Sequence, residues 1–184
     1  MAFYTEEELK KIGFKKIGKN VKISKLVSIY TPENIEIGDN VRIDDFCFLA
    51  GNIKLGNYIH IGGYTALYGK YGIEMDEFSG LSSRCLLFTT SDDYSGNSLT
   101  NPTIPSKYKN MNFGKIKIGK HSIIGAGTII LPNVTIEEGV SVGANSLVKK
   151  SLKSWGIYFG NPVKYLKKRS KNLLKLEQEF LNDK

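Results

Sequence analysis

Two histidines, two adjacent aspartates, two cysteines and a run of lysines are the residues of this 184-residue chain with chemistry to offer beyond holding a fold. Imidazole exchanges a proton near neutral pH without special tuning, so His60 and His121 are the candidate general bases. Asp92 and Asp93 stand side by side in a Ser91-Asp92-Asp93-Tyr94-Ser95-Gly96 segment. Carboxylates there accept hydrogen bonds only, which suits a ligand rich in hydroxyl donors. Two Cys and two His are too few for a disulfide framework or a Cys/His zinc cage, so no metal is expected.

The basic residues are concentrated. The chain has 26 Lys and Arg against 18 Asp and Glu, a formal net charge of +8. From Gly139 to Leu176 there is no acid but nine bases: Lys149, Lys150, Lys153, Lys164, Lys167, Lys168, Arg169, Lys171 and Lys175. The other 17 bases nearly balance the 18 acids. Such a patch suits an anionic ligand. It has few aromatics (Trp155, Tyr158, Phe159, Tyr165) and no recognised nucleic-acid motif, so no nucleic acid is expected as partner. With 41% hydrophobic and 24% charged residues, the composition is that of one globular domain with a substantial core. No apolar run approaches the roughly 18 residues of a membrane span. The start, Met1 to Glu8, lacks the basic and apolar regions of a secretory signal. The expectation is a cytoplasmic protein without membrane insertion.

What must position these groups is a repeat. Aliphatic residues recur every six positions at Ile17, Ile23, Ile29 and Ile35, then, after a two-residue slip, at Ile37, Ile43, Leu49, Leu55, Ile61 and Leu67. A second slip at Ile73/Met75 leads to Leu81 and Leu87, and the period resumes from Ile118 to Val148. Gly often follows the aliphatic residue, where it would allow a tight turn. Four positions after each aliphatic lies a small or branched residue, Cys47 and Cys85 among them. Both cysteines are therefore read as buried small hydrophobes. A period of six is neither helix nor plain alternation. Three such units make one triangular coil of 18 residues, stacked as a parallel β-helix. By this phase Ile59 and Ile61 point inward and His60 outward, just before Gly62 and Gly63, while His121 falls on a turn. His60 is the preferred base.

The flanks complete the plan. Thr5 to Glu8 reads as a capping box opening a short helical lid over residues 1–16. The β-helix occupies 17–153, with an ejected loop at 89–115 rich in Pro, Asn, Ser and Asp, and 154–184 forms the closure and a C-terminal helix. That helix is expected from Val163 to Asn182, with Leu166, Leu173, Leu174, Leu176 and Phe180 on its apolar side.

The six-residue pattern, the run from Ile118 to Ile136 and the Gly160-Asn161-Pro162-Val163-Lys164 ending resemble the hexapeptide-repeat acyltransferases over most of the chain, Ile17 to Arg169. The resemblance implies an all-β fold, a left-handed parallel β-helix, assembled as a homotrimer with active sites between subunits. It implies acetyl-CoA as donor, with the pantetheine arm along Ala126 and Ala144 and the phosphates met by Lys149, Lys150, Lys164 and Lys167. The family often has Arg where Lys164 and Lys167 stand. A backbone amide about one coil after the histidine would stabilise the oxyanion, which points to Gly80.

One departure bears on the acceptor. In the galactoside and maltose acetyltransferase branch the catalytic histidine stands in a loop that aligns with Ser91-Asp92-Asp93, where this chain has no histidine. Either the base moves to His60, with Asp92 or Asp93 orienting it or binding the sugar, or the protein is not an enzyme of that kind. The loop looks more like those of the sugar O-acetyltransferases of surface-polysaccharide assembly. The leading expectation is acetyl transfer from acetyl-CoA to a sugar hydroxyl, and the alternative is N-acetylation of a nucleotide-linked amino sugar. A non-enzymatic β-helix assembly protein is a third reading. A β-helix carbonic anhydrase needs three histidine ligands and finds two histidines.

Overall fold

The computed structural model describes residues 2–183; Met1 and Lys184, at the edges of the expected lid and C-terminal segment, lie outside them. The chain winds as a parallel β-helix of three faces. The first face stacks strands Lys22–Ile23, Arg42–Ile43, His60–Ile61, Gly80–Leu81, Ile123–Ile124, Ser141–Val142 and Gly156–Gly160, all in parallel register. The second runs through Ser28–Tyr30, Leu86–Phe88, Ile129–Ile130 and Leu147–Val148, and the third through Lys16–Ile17, Ile35–Ile37, Ile116–Ile118 and Thr135–Ile136. Strands Phe48–Leu55 and Ala66–Met75 turn the corner between the second and third faces and so belong to both. The two slips in the hexad count lie on that edge, and the two extra residues per coil are absorbed there.

The repeat residues fill the interior. Ile23, Ile43, Ile61, Leu81, Ile124 and Val142 stack down the first face with 0–2% exposure, and the other two columns are equally buried except for Ile17 and Ile29 of the first coil, which are half-buried. The expected role of glycine changes. Gly18, Gly38, Gly56, Gly62, Gly119, Gly125 and Gly143 are not in the left-handed region; a Cβ on any of them would lie 2.4–2.9 Å from an atom of the next coil. Close stacking, not turn conformation, excludes a side chain there. Positive φ falls two residues later at most corners, at Asn20, Asn40, Phe46, Tyr58, Tyr64, Phe78, Arg84, His121, Asn133 and Asn145, each the third position after an inward aliphatic.

One interior column is polar for a reason. Cys47, Thr65, Cys85 and Thr128 each donate to a corner carbonyl of the following coil: Gly62 at 3.3 Å, Ser82 at 3.1 Å, Gly125 at 3.4 Å and Gly143 at 3.2 Å. Small donors satisfy backbone acceptors that an aliphatic residue would leave unmet. Burial pushes both thiols up to about 11, although backbone hydrogen bonds oppose it, so they are inert.

Helix α1 (Glu6–Ile12) carries the expected capping box and seats Leu9 on the first coil, covering an open edge. The expected C-terminal helix is divided. Val163–Lys168 is a strand, returning antiparallel along Gly156–Gly160 after the turn at Asn161 and Pro162, and it closes the last edge of the first face. Leu166 is therefore exposed on a strand. Helix α2 spans only Asn172–Asn182 and folds back over the first face. The ejected loop is tied at its base by an antiparallel pair, Thr90–Ser91 with Asn112–Phe113.

Candidate functional site

His60 stands outward on the first face with its side chain 55% exposed, between buried Ile59 and Ile61. It donates from Nε2 to Asp44 Oδ2 at 2.8 Å, which leaves Nδ1 as the basic nitrogen. Asp44 Oδ1 accepts from Arg42 Nε at 2.7 Å. Burial raises the Asp44 carboxyl, but the bonds from Arg42 and His60 outweigh it and hold the group below the usual aspartate value. Within one chain Asp92 and Asp93 do not contact the His60 ring; the carboxylate that holds it is Asp44, one coil away. It could have been found in the sequence, because coil phase pairs Arg42 with His60 and places Asp44 just past Ile43.

Gly80 lies directly beside His60 in the register, as the coil count requires. Its N–H, however, donates to Ser122 O at 3.0 Å, and a Cβ would meet only His60 O at 3.5 Å. That amide is committed to the coil and is not available to an oxyanion. The corner following the first face offers better donors. There the register brings Gly63, Ser83, Ala126 and Ala144 into one column, tied by Arg84 N to Gly63 O, Gly127 N to Ser83 O, and Asn145 N to Ala126 O. None of the N–H groups of Gly63, Ser83, Ala126 and Ala144 has an acceptor among the described residues. Successive members are spaced by one coil, about 4.8 Å. Ser83, Ala126 and Ala144 are exposed. The column passes the histidine pair, since a Cβ on Gly63 would lie 3.9 Å from Asp44 Cβ.

The basic residues divide. Lys164 and Lys167 lie on the closing strand, which begins at the foot of this column, where Gly160 N donates to Ser146 Oγ at 3.1 Å. Lys149 and Lys150 are exposed past Leu147–Val148, at the far edge of the second face. Within one chain the two pairs do not meet. Asp92 and Asp93 are also beyond the second face, in the ejected loop. Asp93 accepts from Ser95 N (2.8 Å) and Ser98 Oγ (2.9 Å), and these bonds lower its carboxyl. Asp92 accepts from Asn101 N at 3.3 Å.

His121 has a different occupation. Its side chain, 7% exposed, bonds Glu177 of α2 at 2.8 Å and stacks on Phe78 with centroids 5.4 Å apart. Glu177 also takes Lys120 at 2.6 Å, and Arg169 Nη1 donates to the carbonyls of His121, Gly139 and Val140. These contacts anchor α2 and leave a cleft of about 490 Å³ beneath it, with His60 and Ser82 at its wall. Among the described residues no cluster of His, Cys, Asp or Glu could hold a metal ion, and no helix is long and apolar enough to cross a membrane.

Residues 115–150 match the family described as bacterial transferase hexapeptide (six repeats). The chain is 44% identical over 183 residues to dTDP-4-amino-4,6-dideoxy-D-glucose acyltransferase of Escherichia coli, covering 98% of this chain and 95% of that one. It superposes with a TM-score of 0.98 on AntD, an N-acyltransferase from Bacillus cereus in complex with dTDP and 3-hydroxybutyryl-CoA, at 56% identity over 100% of this chain and 98% of the other. Crystal structures of that enzyme include variants at a serine and at an aspartate ten positions later. A putative lipopolysaccharide O-acetyl transferase of Escherichia coli, WbbJ, is similar at 26% identity over 77% of this chain and 72% of its own length.

Proposed function

The chain belongs to the hexapeptide-repeat acyltransferases, and from that premise we propose that it acylates the amine of a dTDP-linked 4-amino-4,6-dideoxy sugar with an acyl group carried on coenzyme A. The expectation of a sugar hydroxyl as acceptor gives way to the amine alternative. The supporting relatives at 44–56% identity are named for amino-sugar or N-acyl transfer, whereas the O-acetyl transferase is 26% identical.

The observation that carries the reading is the corner column of unpaired amides with a basic strand at its foot and the His60–Asp44 pair at its side. Pantetheine is a chain of amides, and its carbonyls fit N–H donors at Ala144 and Ala126. Lys164 and Lys167, at the foot, meet the phosphates, and Lys149 and Lys150 serve from a neighbouring copy. The thioester then lies at Ser83, whose N–H takes the oxyanion in place of Gly80. The amine nitrogen attacks the thioester carbon and gives its proton to His60 Nδ1. The C–S bond breaks, and the departing CoA thiolate recovers that proton. Asp44 holds the imidazole during both transfers.

Asp92 and Asp93 bind the sugar. Ser83 and Asp93 are ten positions apart, like the serine and aspartate substituted in the Bacillus cereus enzyme. In one chain the whole second face separates them, so a site using both spans two subunits, in keeping with a homotrimer. Its substrates are charged nucleotides that do not cross a membrane unaided, in keeping with the cytoplasmic expectation.

The test is CoA release with dTDP-4-amino-4,6-dideoxyglucose against the matching sugar nucleotide bearing a C4 hydroxyl. Turnover of the amine and an amide product by mass spectrometry are expected, and light scattering should give three chains per particle. Preferential turnover of the hydroxyl compound would return the acceptor to oxygen.

A further inference from the structure

Behind the histidine pair stands a cation, and we infer that Arg42 is a positioning residue for the proton transfer. It offsets the charge of Asp44 and fixes that carboxylate, so that His60 offers an uncharged Nδ1 to the attacking amine. The inference rests on the proposed transfer, in which His60 is the base.

On the outer side of the first face, the register stacks Lys22, Arg42, His60 and Gly80 in one row. Like charges directly opposite each other on neighbouring strands are unfavourable. Basic side chains in three successive coils therefore need a reason, and a carboxylate shared by two of them supplies it. Asp44 is 14% exposed, and its oxygens are divided. Oδ1 accepts from Arg42 Nε at 2.7 Å and Oδ2 from His60 Nε2 at 2.8 Å. The adjoining carboxylate is engaged elsewhere, since Asp45 accepts from the hydroxyl of buried Ser24. Across the cleft, Glu177 pairs with Lys120 and His121, and Arg169 donates to backbone carbonyls.

A bare carboxylate beside an imidazole favours the imidazolium, which has no lone pair left for the proton of an amine. A guanidinium on the far oxygen offsets that charge and leaves the near oxygen to hold Nε2–H. Arg42 thus separates two effects of Asp44, orientation of the ring and attraction for a proton. The guanidinium is itself held from the N-terminus. Residues 2–4 run antiparallel along the first coil, with Tyr4 N donating to Ile23 O at 2.9 Å and Lys25 N to Ala2 O at 2.8 Å. The half-buried Phe3 ring so lies against Arg42, 5.6 Å from centroid to Cζ, where its face attracts the cation.

The experiment takes two readouts in wild type, Arg42→Gln and Arg42→Lys. The first is the pH titration of the two histidine Cε1–H resonances by NMR, without substrates, with His60→Ala to assign them. In Arg42→Gln the lost cation no longer opposes the imidazolium, so the His60 midpoint should rise by about half a pH unit or more, with His121 unmoved. Arg42→Lys keeps the charge and should keep the wild-type midpoint. The second readout is kcat against pH with 3-hydroxybutyryl-CoA and dTDP-4-amino-4,6-dideoxyglucose. Without the planar Nε donor the plateau kcat should fall in both variants, about tenfold in Arg42→Gln, with KM values within about twofold of wild type. An unmoved His60 midpoint in Arg42→Gln overturns the inference. So does a loss confined to KM, which makes Arg42 a substrate-binding residue, and so does a wild-type kcat in Arg42→Lys, a variant that tests the inference even if Arg42→Gln fails to fold. Activity of His60→Ala within threefold of wild type is a separate result, which overturns the proposed base whatever the NMR titration gives.

Discussion

Replacing His60 with alanine separates chemistry from stability more cleanly than any other change in the site. The side chain is 55% exposed, and among the described residues its hydrogen bond is to Asp44. A substitution of that kind shifts folding stability by about 0.5 kcal/mol or less. A positioned general base, by contrast, contributes about 10²- to 10⁴-fold. The expected loss in kcat/KM is therefore about 3–5 kcal/mol of transition-state stabilisation, with the melting temperature nearly unchanged. Asp44→Asn should fall between the two, because the amide can still accept from Nε2 but no longer balances the imidazolium charge that forms during transfer. The assay is continuous detection of the CoA thiol, with saturating amino-sugar nucleotide and varied acyl-CoA. His60→Ala within threefold of wild type would refute the reasoning. The proton acceptor would then be the loop carboxylate Asp93, and Asp93→Asn would show the large loss in its place.

Four further outcomes follow from the same geometry. Ala126→Leu places a large side chain on the column and should raise KM for acyl-CoA about tenfold or more, roughly 1.4 kcal/mol, while leaving the KM of the sugar nucleotide alone. Gly125→Ala puts a Cβ 2.5 Å from Ala144 N, a backbone atom that cannot swing aside, and should lower stability by about 1–3 kcal/mol in urea denaturation. Folded protein at pH 8 should show no reactive thiol toward Ellman's reagent and unfolded protein two, since burial pushes Cys47 and Cys85 up to about 11. Burial raises the Glu177 carboxyl, but the bonds from Lys120 and His121 outweigh it and leave the folded value below the ordinary 4.5. Stability from this carboxylate is therefore full above pH 4.5 and is lost as pH falls through the lower folded value; thermal melts between pH 6 and 3 should show a shallower decline in Glu177→Gln.

The parts of the molecule legible in the sequence are those that the coil repeats. A period of six fixes which residue faces inward, so Ile59, Ile61, Cys47 and Cys85 and the outward His60 followed from phase alone. Thr5 and Glu8 reported the lid because a capping box is local chemistry. What escaped lies between coils. The partner of His60 is set by stacking, so the chain order does not single out Asp44, 16 residues away, over carboxylates that merely adjoin each other. The coil count gives the register of Gly80, yet an amide's availability depends on which carbonyl lies beneath it, and Ser122 O lies there. The leucine and lysines of Val163–Lys168 suit a helix as well as a strand; the open edge of Gly156–Gly160 decides for the strand. The loop is the remaining case. Asp92 and Asp93 suggested sugar binding by residue type, but one chain sets them a full face away from the column of amides. If both serve one reaction, the unit of function is the contact between two coils of different subunits, and no single-chain pattern can display it. A monomeric variant should then lose turnover while keeping the inert cysteines and the cooperative melt of the coil.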